Sequence, residues 1–325
     1  MSLDQFLTTT FLVAILVAGI RLATPILLAV IGEIITEKGG VLNLGLEGIM
    51  LMGALAGFLV TWHLQNNLAG LINPMAAAWL GLLAGAAAGL VMGLIMAFFS
   101  VTLKADQVIS GVMLVVLGQG LSAYIFHQQF KDFAPQVAGL TSLPIPWLAD
   151  LPVVGPILFN QNVAVYLTVL IVLAAWFLLN RTTLGLSIRA MGENPSAGET
   201  SGLSVSKIRY IATMIGTSLV GLGGAVLTVA QLHFFREGVT AGRGWIAIAL
   251  VIFARWKPGL AVVGALLFGI ADAIQFRIQA LGSQNIPYEI LLMLPYLLTI
   301  LVLFRGIKKT EQPEALGQPY VRGAR

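Results

Sequence analysis

The chain has 325 residues, of which 58% are hydrophobic and only 10% charged, with a formal net charge of +4. Soluble domains carry about 25% charged residues, so this composition and a mean hydropathy of +0.92 exclude a water-soluble globular protein and describe an integral membrane protein. Cysteine is absent, which removes disulfides, thiolate metal sites and thiol nucleophiles, and no polar segment is long enough to form a soluble domain.

A spanning helix needs about 20 apolar residues. In chain order such runs lie at 10–32, 41–61, 75–99, 107–126, 162–180, 210–232, 243–254, 260–280 and 289–304. The expectation is therefore an all-α polytopic protein of about nine transmembrane helices, the seventh being short. The first run lacks a basic leader and a small-residue cleavage site, so no removable signal peptide is expected. With the amino terminus outside, thirteen of the eighteen lysines and arginines fall in inner segments. Basic residues favour the cytoplasmic side, so the amino terminus is expected outside and the carboxyl terminus in the cytoplasm. Arg243 falls in an outer segment on this count. A seventh segment that failed to cross would strand the basic tail outside, so it is expected to cross.

Between the first two runs stands EKGGVLNLGLEG, residues 37–48. Asn43 and Glu47 are four apart, so they are expected to share one helix face and to be able to hydrogen-bond each other. An acidic residue at membrane depth needs a partner or a water-filled cavity, so Glu47 either bonds a neighbouring backbone or contacts solute. Gly39, Gly40 and Gly45 let the backbone unwind, which membrane depth tolerates only where protein or water surrounds it. Gly81, Gly85, Gly89 and Gly93 form a four-residue ladder suited to close helix packing. Asp106 and Gln107 open the fourth run, as a helix cap or an inner gate. The outer loop from His127 to Gln161 is rich in proline, which stiffens it.

After the fifth run comes TLGLSIRAMGENPSAGETSGLSVSKIRY. Asn194 before Pro195 reads as an N-cap with proline at the first helical position, and Gly202 suits a left-handed terminator. A short rod of small residues, Pro195–Ser201, is thus expected at the inner surface. Further on, TAGRGWIAIALVIFARW mirrors the first glycine-punctuated stretch, and the two suggest inverted repeats flanking a middle span, a layout common in transporters. Asp272 lies in the eighth run, where pairing with a basic residue or contact with solute would keep it buried. The histidines (His63, His127, His233) fall at run ends and make no metal-ligand set.

Together GGVLNLGLEGIMLMGA, ADQVISG, RAMGENPSAGETSGLSVSKIRY, TAGRGWIAIALVIFARW and LPYLLTILVLFRG resemble the permease subunits of bacterial ABC importers for nucleosides and simple sugars, which are related to branched-chain amino acid and ribose permeases. The resemblance covers about residues 21–320 and is greatest to the shorter permease of nucleoside-type systems, without the extra first span of the ten-helix version. It implies a vitamin B12-importer-like permease fold in one domain, 1–325. Repeat one is then about 10–126, the middle span 162–180, the cytoplasmic coupling loop 181–209, repeat two about 210–304 and the cytoplasmic tail 305–325.

It further implies that Arg189, Ala190, Gly192, Glu193, Asn194, Pro195, Gly198 and Gly202 dock on an ATPase. Asn43, Glu47, Asp106, Gln107, Arg243 and Asp272 are the candidates for the translocation pathway. No phosphate-binding loop occurs in the sequence, so ATP and magnesium would sit on a separate ATP-binding subunit, and this chain would carry no cofactor or metal. The other implied partners are a second, longer permease or a second copy of this chain, an extracytoplasmic solute-binding lipoprotein and membrane lipid; no nucleic acid is implied. The implied place is the bacterial cytoplasmic membrane, and the implied solute a nucleoside, then a simple sugar or amino acid. Two other classes compete. A proton- or sodium-coupled secondary transporter would use Glu47 or Asp272 as its coupling group. A membrane enzyme would need paired carboxylates or a histidine–nucleophile set, which the sequence lacks.

Overall fold

The apolar runs become helices whose ends are fixed by polar caps, as a computed structural model shows for residues 9–68, 70–131, 135–280, 293, 297 and 311–321. Helix α1 covers Thr9–Lys38, α2 Leu46–Asn67 and α3 Pro74–Ala97, the last capped by Asn73 and extended by a π-turn to Thr102. Helix α4 covers Gln107–Phe130, with the Asp106 carboxylate accepting from Ile109 N at 3.0 Å. Asp106 thus makes the expected cap bond, and such a side chain satisfies a donor the helix leaves orphaned.

Helix α5, Val163–Arg181, is capped by Asn162. Two short helices follow, α6 Thr183–Glu193 and α7 Pro195–Thr200, then α8 Val205–Ala225 with its π-turn continuation Val226–Leu232. Helices α9 Arg243–Phe253 and α10 Pro258–Ala280 complete the described bundle. The protein is predominantly helical, and the all-α expectation needs one amendment. Strands β1 Ser142–Pro144 and β2 Asn160–Asn162 pair antiparallel within the proline-rich loop, Leu143 facing Gln161.

Among the described residues, seven helices are long and apolar enough to cross a membrane, which makes this a multi-pass membrane protein. The expected seventh span is the eleven-residue α9, about 16 Å long, which covers only half of a hydrocarbon core about 30 Å thick. The expected ninth, 289–304, lies outside the described residues. The first span is longer than expected. It runs past Gly32 to Lys38 and takes in Glu33 and Glu37, because both carboxylates are enclosed by neighbouring helices.

The core is built on backbone proximity. A Cβ on Gly85 would lie 2.3 Å from Ala225 Cβ, and one on Gly89 would lie 2.2 Å from Thr217 O, so the glycine ladder seats α3 directly on α8. Only small residues permit that approach where lipid supplies no hydrophobic drive between helices.

Candidate functional site

Two interruptions of helical backbone meet inside the bundle. The first is the stretch 39–45, which turns back at Gly40 (φ +86°) and climbs non-helically from the end of α1 to the start of α2. Its donors are taken by side chains: Leu42 N by Gln107 Oε1 at 2.7 Å, Asn43 N by Glu33 Oε1 at 3.1 Å and Gly45 N by Asn43 Oδ1 at 2.9 Å. Gly48 backs onto Leu114, seven residues into α4, which places the start of α2 about 10 Å up that helix. The second interruption is the turn 240–242 before α9, where Gly242 is left-handed at φ +80°.

Glu47 joins them. Its Oε1 accepts from Thr240 Oγ1 at 2.5 Å and from Gly242 N at 2.9 Å, and its Oε2 from Gly244 N at 2.7 Å. A Cβ on Gly244 would lie 2.4 Å from Glu47 N, so the amino termini of α2 and α9 abut with this carboxylate between them. Helix amino termini carry partial positive charge, and the carboxylate neutralises two at once. The turn is held from its other side as well: Arg243 lies 3.5 Å from Asp272 on α10 and donates to Thr240 O at 3.2 Å.

These contacts correct one expectation. Asn43 and Glu47 do not share a helix face, because α2 begins only at Leu46; Asn43 caps its own loop and is fully enclosed at 0% exposure. Arg243, counted in an outer segment from the sequence, begins α9 beside Glu47 and pairs with Asp272. Its neighbourhood is nevertheless open on one side, with Ala241 exposed and Trp245 45% exposed. Gln107 is buried behind Leu42, and Asp106 stands at the exposed start of α4.

At one end of the bundle lie α6 and α7. Asn194 Oδ1 caps α7 through Ala197 N at 3.0 Å. The helix ends with Leu203 N bonded to Gly198 O at 3.1 Å and Gly202 N to Glu199 O at 2.9 Å, with Gly202 at φ +87°. That is a Schellman-type stop. Glu193, Asn194, Ser196, Ala197 and Thr200 are exposed, and Arg189, Ala190 and Pro195 are half-buried. Gly192 and Gly198 are turned inward, since a Cβ on Gly192 would lie 2.3 Å from Lys38 O and one on Gly198 would strike the Met191 side chain.

The same end holds residues that the sequence reading passed over. Glu33 and Glu37, one turn apart on α1, are both buried; Glu33 accepts from Asn43 N at 3.1 Å and Glu37 from Trp256 Nε1 at 2.5 Å. Arg209, 1% exposed, reaches Gln318 O in the tail at 2.8 Å. Glu311 bridges Arg255 at 2.8 Å and Lys257 at 2.6 Å. The one available signal was the pair of acids at i, i+4 in IGEIITEK.

The hydrogen bond from Lys257 holds the Glu311 carboxyl below its ordinary value of 4.5, aided by the charges of Arg255, Lys257 and Lys38. A carboxyl depressed in the folded state contributes stability above its unfolded pKa and loses it as pH falls through the lowered value. The tail should therefore stay latched at neutral pH and become more protease-sensitive under acid conditions. The pair is exposed, so high salt should loosen it too. Limited proteolysis across a pH and salt series checks both; cleavage that ignores both variables would refute the latch.

A separate cavity of about 920 Å³ lies between α1, α10 and the β1–β2 pair, lined by Arg21, Asn162, Gln231, His233 and Arg277 among others. Its volume is that of a small-molecule site, but none of the six pathway candidates lines it.

The sequence profile of the family described as permease component of the branched-chain amino acid transport system matches residues 15–303. The "Putative glucose ABC transporter permease protein TsgC13" of Haloferax volcanii is 40% identical over 96% of this chain and 99% of its own length. The guanosine ABC transporter permease protein NupQ of Bacillus subtilis is 37% identical over 93% and 95%. The nucleoside ABC transporter permease protein NupC of Lactococcus lactis is 34% identical over 92% and 94%. No solved structure matches the chain.

Proposed function

The chain belongs to the family of ABC transporter permease components, and on that premise we propose that it forms the translocation pathway of an ATP-driven importer for nucleosides, working by alternating access. The observation that carries the solute is the likeness, over more than nine-tenths of the chain, to permeases named for guanosine and nucleosides. A simple sugar is the second reading, favoured by the 40% identity to a relative named for glucose.

In this reading the nine spans form two inverted repeats of the vitamin B12-importer type within one permease domain. The abutting starts of α2 and α9 support it, since discontinuous helices in transporters place their amino termini near the solute route. The route passes the open side of the 241–245 turn, with Arg243 and Asp272 nearest it. Glu47 and Asn43 brace the two interruptions, and Asp106 and Gln107 support the inner end. The amino terminus is outside and the α7 end faces the cytoplasm of a bacterial inner membrane.

There the α6–α7 unit docks on an ATP-binding subunit, which supplies ATP and magnesium. Arg189, Glu193, Asn194 and Pro195 would meet the partner, while Ala190, Gly192, Gly198 and Gly202 shape the unit. A longer permease, or a second copy of this chain, completes the pore, and an extracytoplasmic lipoprotein delivers solute. ATP-driven closure of the motors pushes on α7 and rocks the helices between two accesses.

Reconstitution into liposomes with the ATPase, the second permease and the binding lipoprotein tests this. Uptake of labelled guanosine is expected only with ATP on the α7 side. Uptake by this chain alone under a proton gradient would overturn the importer reading. ATP-dependent uptake of glucose without guanosine would replace the solute.

A further inference from the structure

Residues 311–321 follow the expected ninth span in sequence and would ordinarily be read as a solvated tail, yet they are strapped across the α7 end by named contacts. Tyr320 Oη donates to Glu199 Oε2 on α7 at 2.7 Å. Ala315 N donates to Gly192 O, at the end of α6, at 2.8 Å, and Gly317 N to Gly40 O at 3.3 Å. Gln318 O takes Arg209 Nη1, at the start of α8, at 2.8 Å. Glu311 takes Arg255 and Lys257, in the turn between α9 and α10. Pro313 and Ala315 are buried beneath this course.

The partners have one property in common. Gly40 opens the non-helical stretch that leads to Asn43 and Glu47, and the Arg255–Lys257 turn closes the half-length helix whose other end Glu47 holds. One short segment thus touches the docking helix, the start of the first interruption and the far end of the helix that follows the second. Gly40 has little freedom to move independently: a Cβ there would lie 2.9 Å from Arg209 Nη2 and 3.1 Å from Met191 O. A segment kept only for solubility would leave its backbone donors to water. Here Ala315 N and Gly317 N go to the carbonyls of α6 and of the first interruption.

We propose that the segment 311–321 is a transmission strap, which carries displacement of α7 to the 40–45 stretch through Tyr320 and Gly317 and to the α9–α10 turn through Glu311. It rests on the reading of α7 as the ATPase-docking helix. Tyr320 and Glu311 are positioning residues in this scheme. They touch neither solute nor nucleotide, and they set how far the interruptions move per stroke.

The chain's lack of cysteine allows spin labels at two introduced positions, Ser196→Cys on α7 and Ala241→Cys at the interruption, in the importer assembled with its ATPase. The distance between the labels is read without nucleotide and with ATP–vanadate trapped, which needs no knowledge of the solute. The unaltered strap should give a clear shift in that distance. Tyr320→Phe with Glu311→Gln, which preserves size and removes the hydroxyl and the charge, should shrink the shift while ATP hydrolysis continues. Guanosine moved per ATP should fall about fivefold, the low end of coupling between distant sites.

Deletion of 311–325 should abolish the shift, and the milder double variant guards against a misfolded truncation. The same shift and the same transport ratio in the double variant would overturn the strap and leave docking intact. Failure of the ATPase to co-purify with the unaltered chain would instead overturn docking, and the strap with it.

Discussion

Glu47→Ala is expected to abolish uptake and to lower the thermal midpoint of the detergent-solubilised protein by a large margin. The substitution leaves Thr240 Oγ1, Gly242 N and Gly244 N without their acceptor, and Thr240 and Gly244 are buried. Hydrogen bonds to a charged acceptor are worth about 1.5–3 kcal/mol each, and an orphaned buried donor costs about 1–3 kcal/mol. Membrane proteins recover part of such losses because their unfolded state also finds partners, so the sum is on the order of 4 kcal/mol. That is a large fraction of a native stability of about 5–15 kcal/mol.

Glu47→Gln separates support from charge. In either amide orientation one of the two glycine N–H groups faces an NH₂, so one bond is lost and the others persist. The expected cost is about 1–3 kcal/mol, with residual uptake. Thermal melts and uptake assays on both variants check the order. An alanine variant with native melting and uptake would show that the α2 and α9 termini need no bridge.

The legible parts of this protein are the local ones. Asn194, Pro195 and Gly202 fix both ends of α7 within nine residues, and Asp106 needs only Ile109, so cap chemistry alone places them. The glycine ladder was legible as packing because any close approach uses the same residue type. What failed were inferences that assumed a helix where the chain is extended. The four-residue spacing of Asn43 and Glu47 means a shared face only if residues 43–47 are helical, and Gly40 and Gly45 break that condition. Hydropathy ended the first span at Gly32 since Glu33 is the next residue, although burial by partners as distant as Trp256 carries the helix to Lys38. The basic partner of Asp272 went unnamed because a count of charges cannot see Arg243 twenty-nine residues away. The tail contacts were invisible for the same reason, Tyr320 and Glu199 being 121 residues apart.

Ala197→Arg is expected to stop ATP-driven uptake without disturbing the fold. Position 197 is exposed on α7, and the bonds it makes are backbone ones: its N–H goes to Asn194 Oδ1 at 3.0 Å, and its carbonyl accepts from the Thr200 and Ser201 hydroxyls at 2.9 Å each and from Ser201 N at 3.2 Å. Arginine keeps all four and is a good helix former, so stability should stay within about 0.5 kcal/mol of the original, as for other surface changes. Docking should suffer, because a bulky cation replaces a methyl on the slimmest face of the rod. A central contact of an interface costs about 2 kcal/mol or more when spoiled, and every 1.4 kcal/mol is tenfold in affinity. ATPase affinity should therefore fall at least tenfold.

The alternative of altering Glu193 and Asn194 together is a poorer probe: removing Asn194 also removes the cap, worth about 1 kcal/mol, and mixes unfolding of α7 with loss of contact. Co-purification of the ATPase, uptake and thermal midpoint, measured on one preparation, separate the two effects. Full ATPase retention and uptake in Ala197→Arg would mean that α7 is not the docking surface. Loss of uptake with a lowered midpoint would mean that the rod bears on the fold through more than its caps.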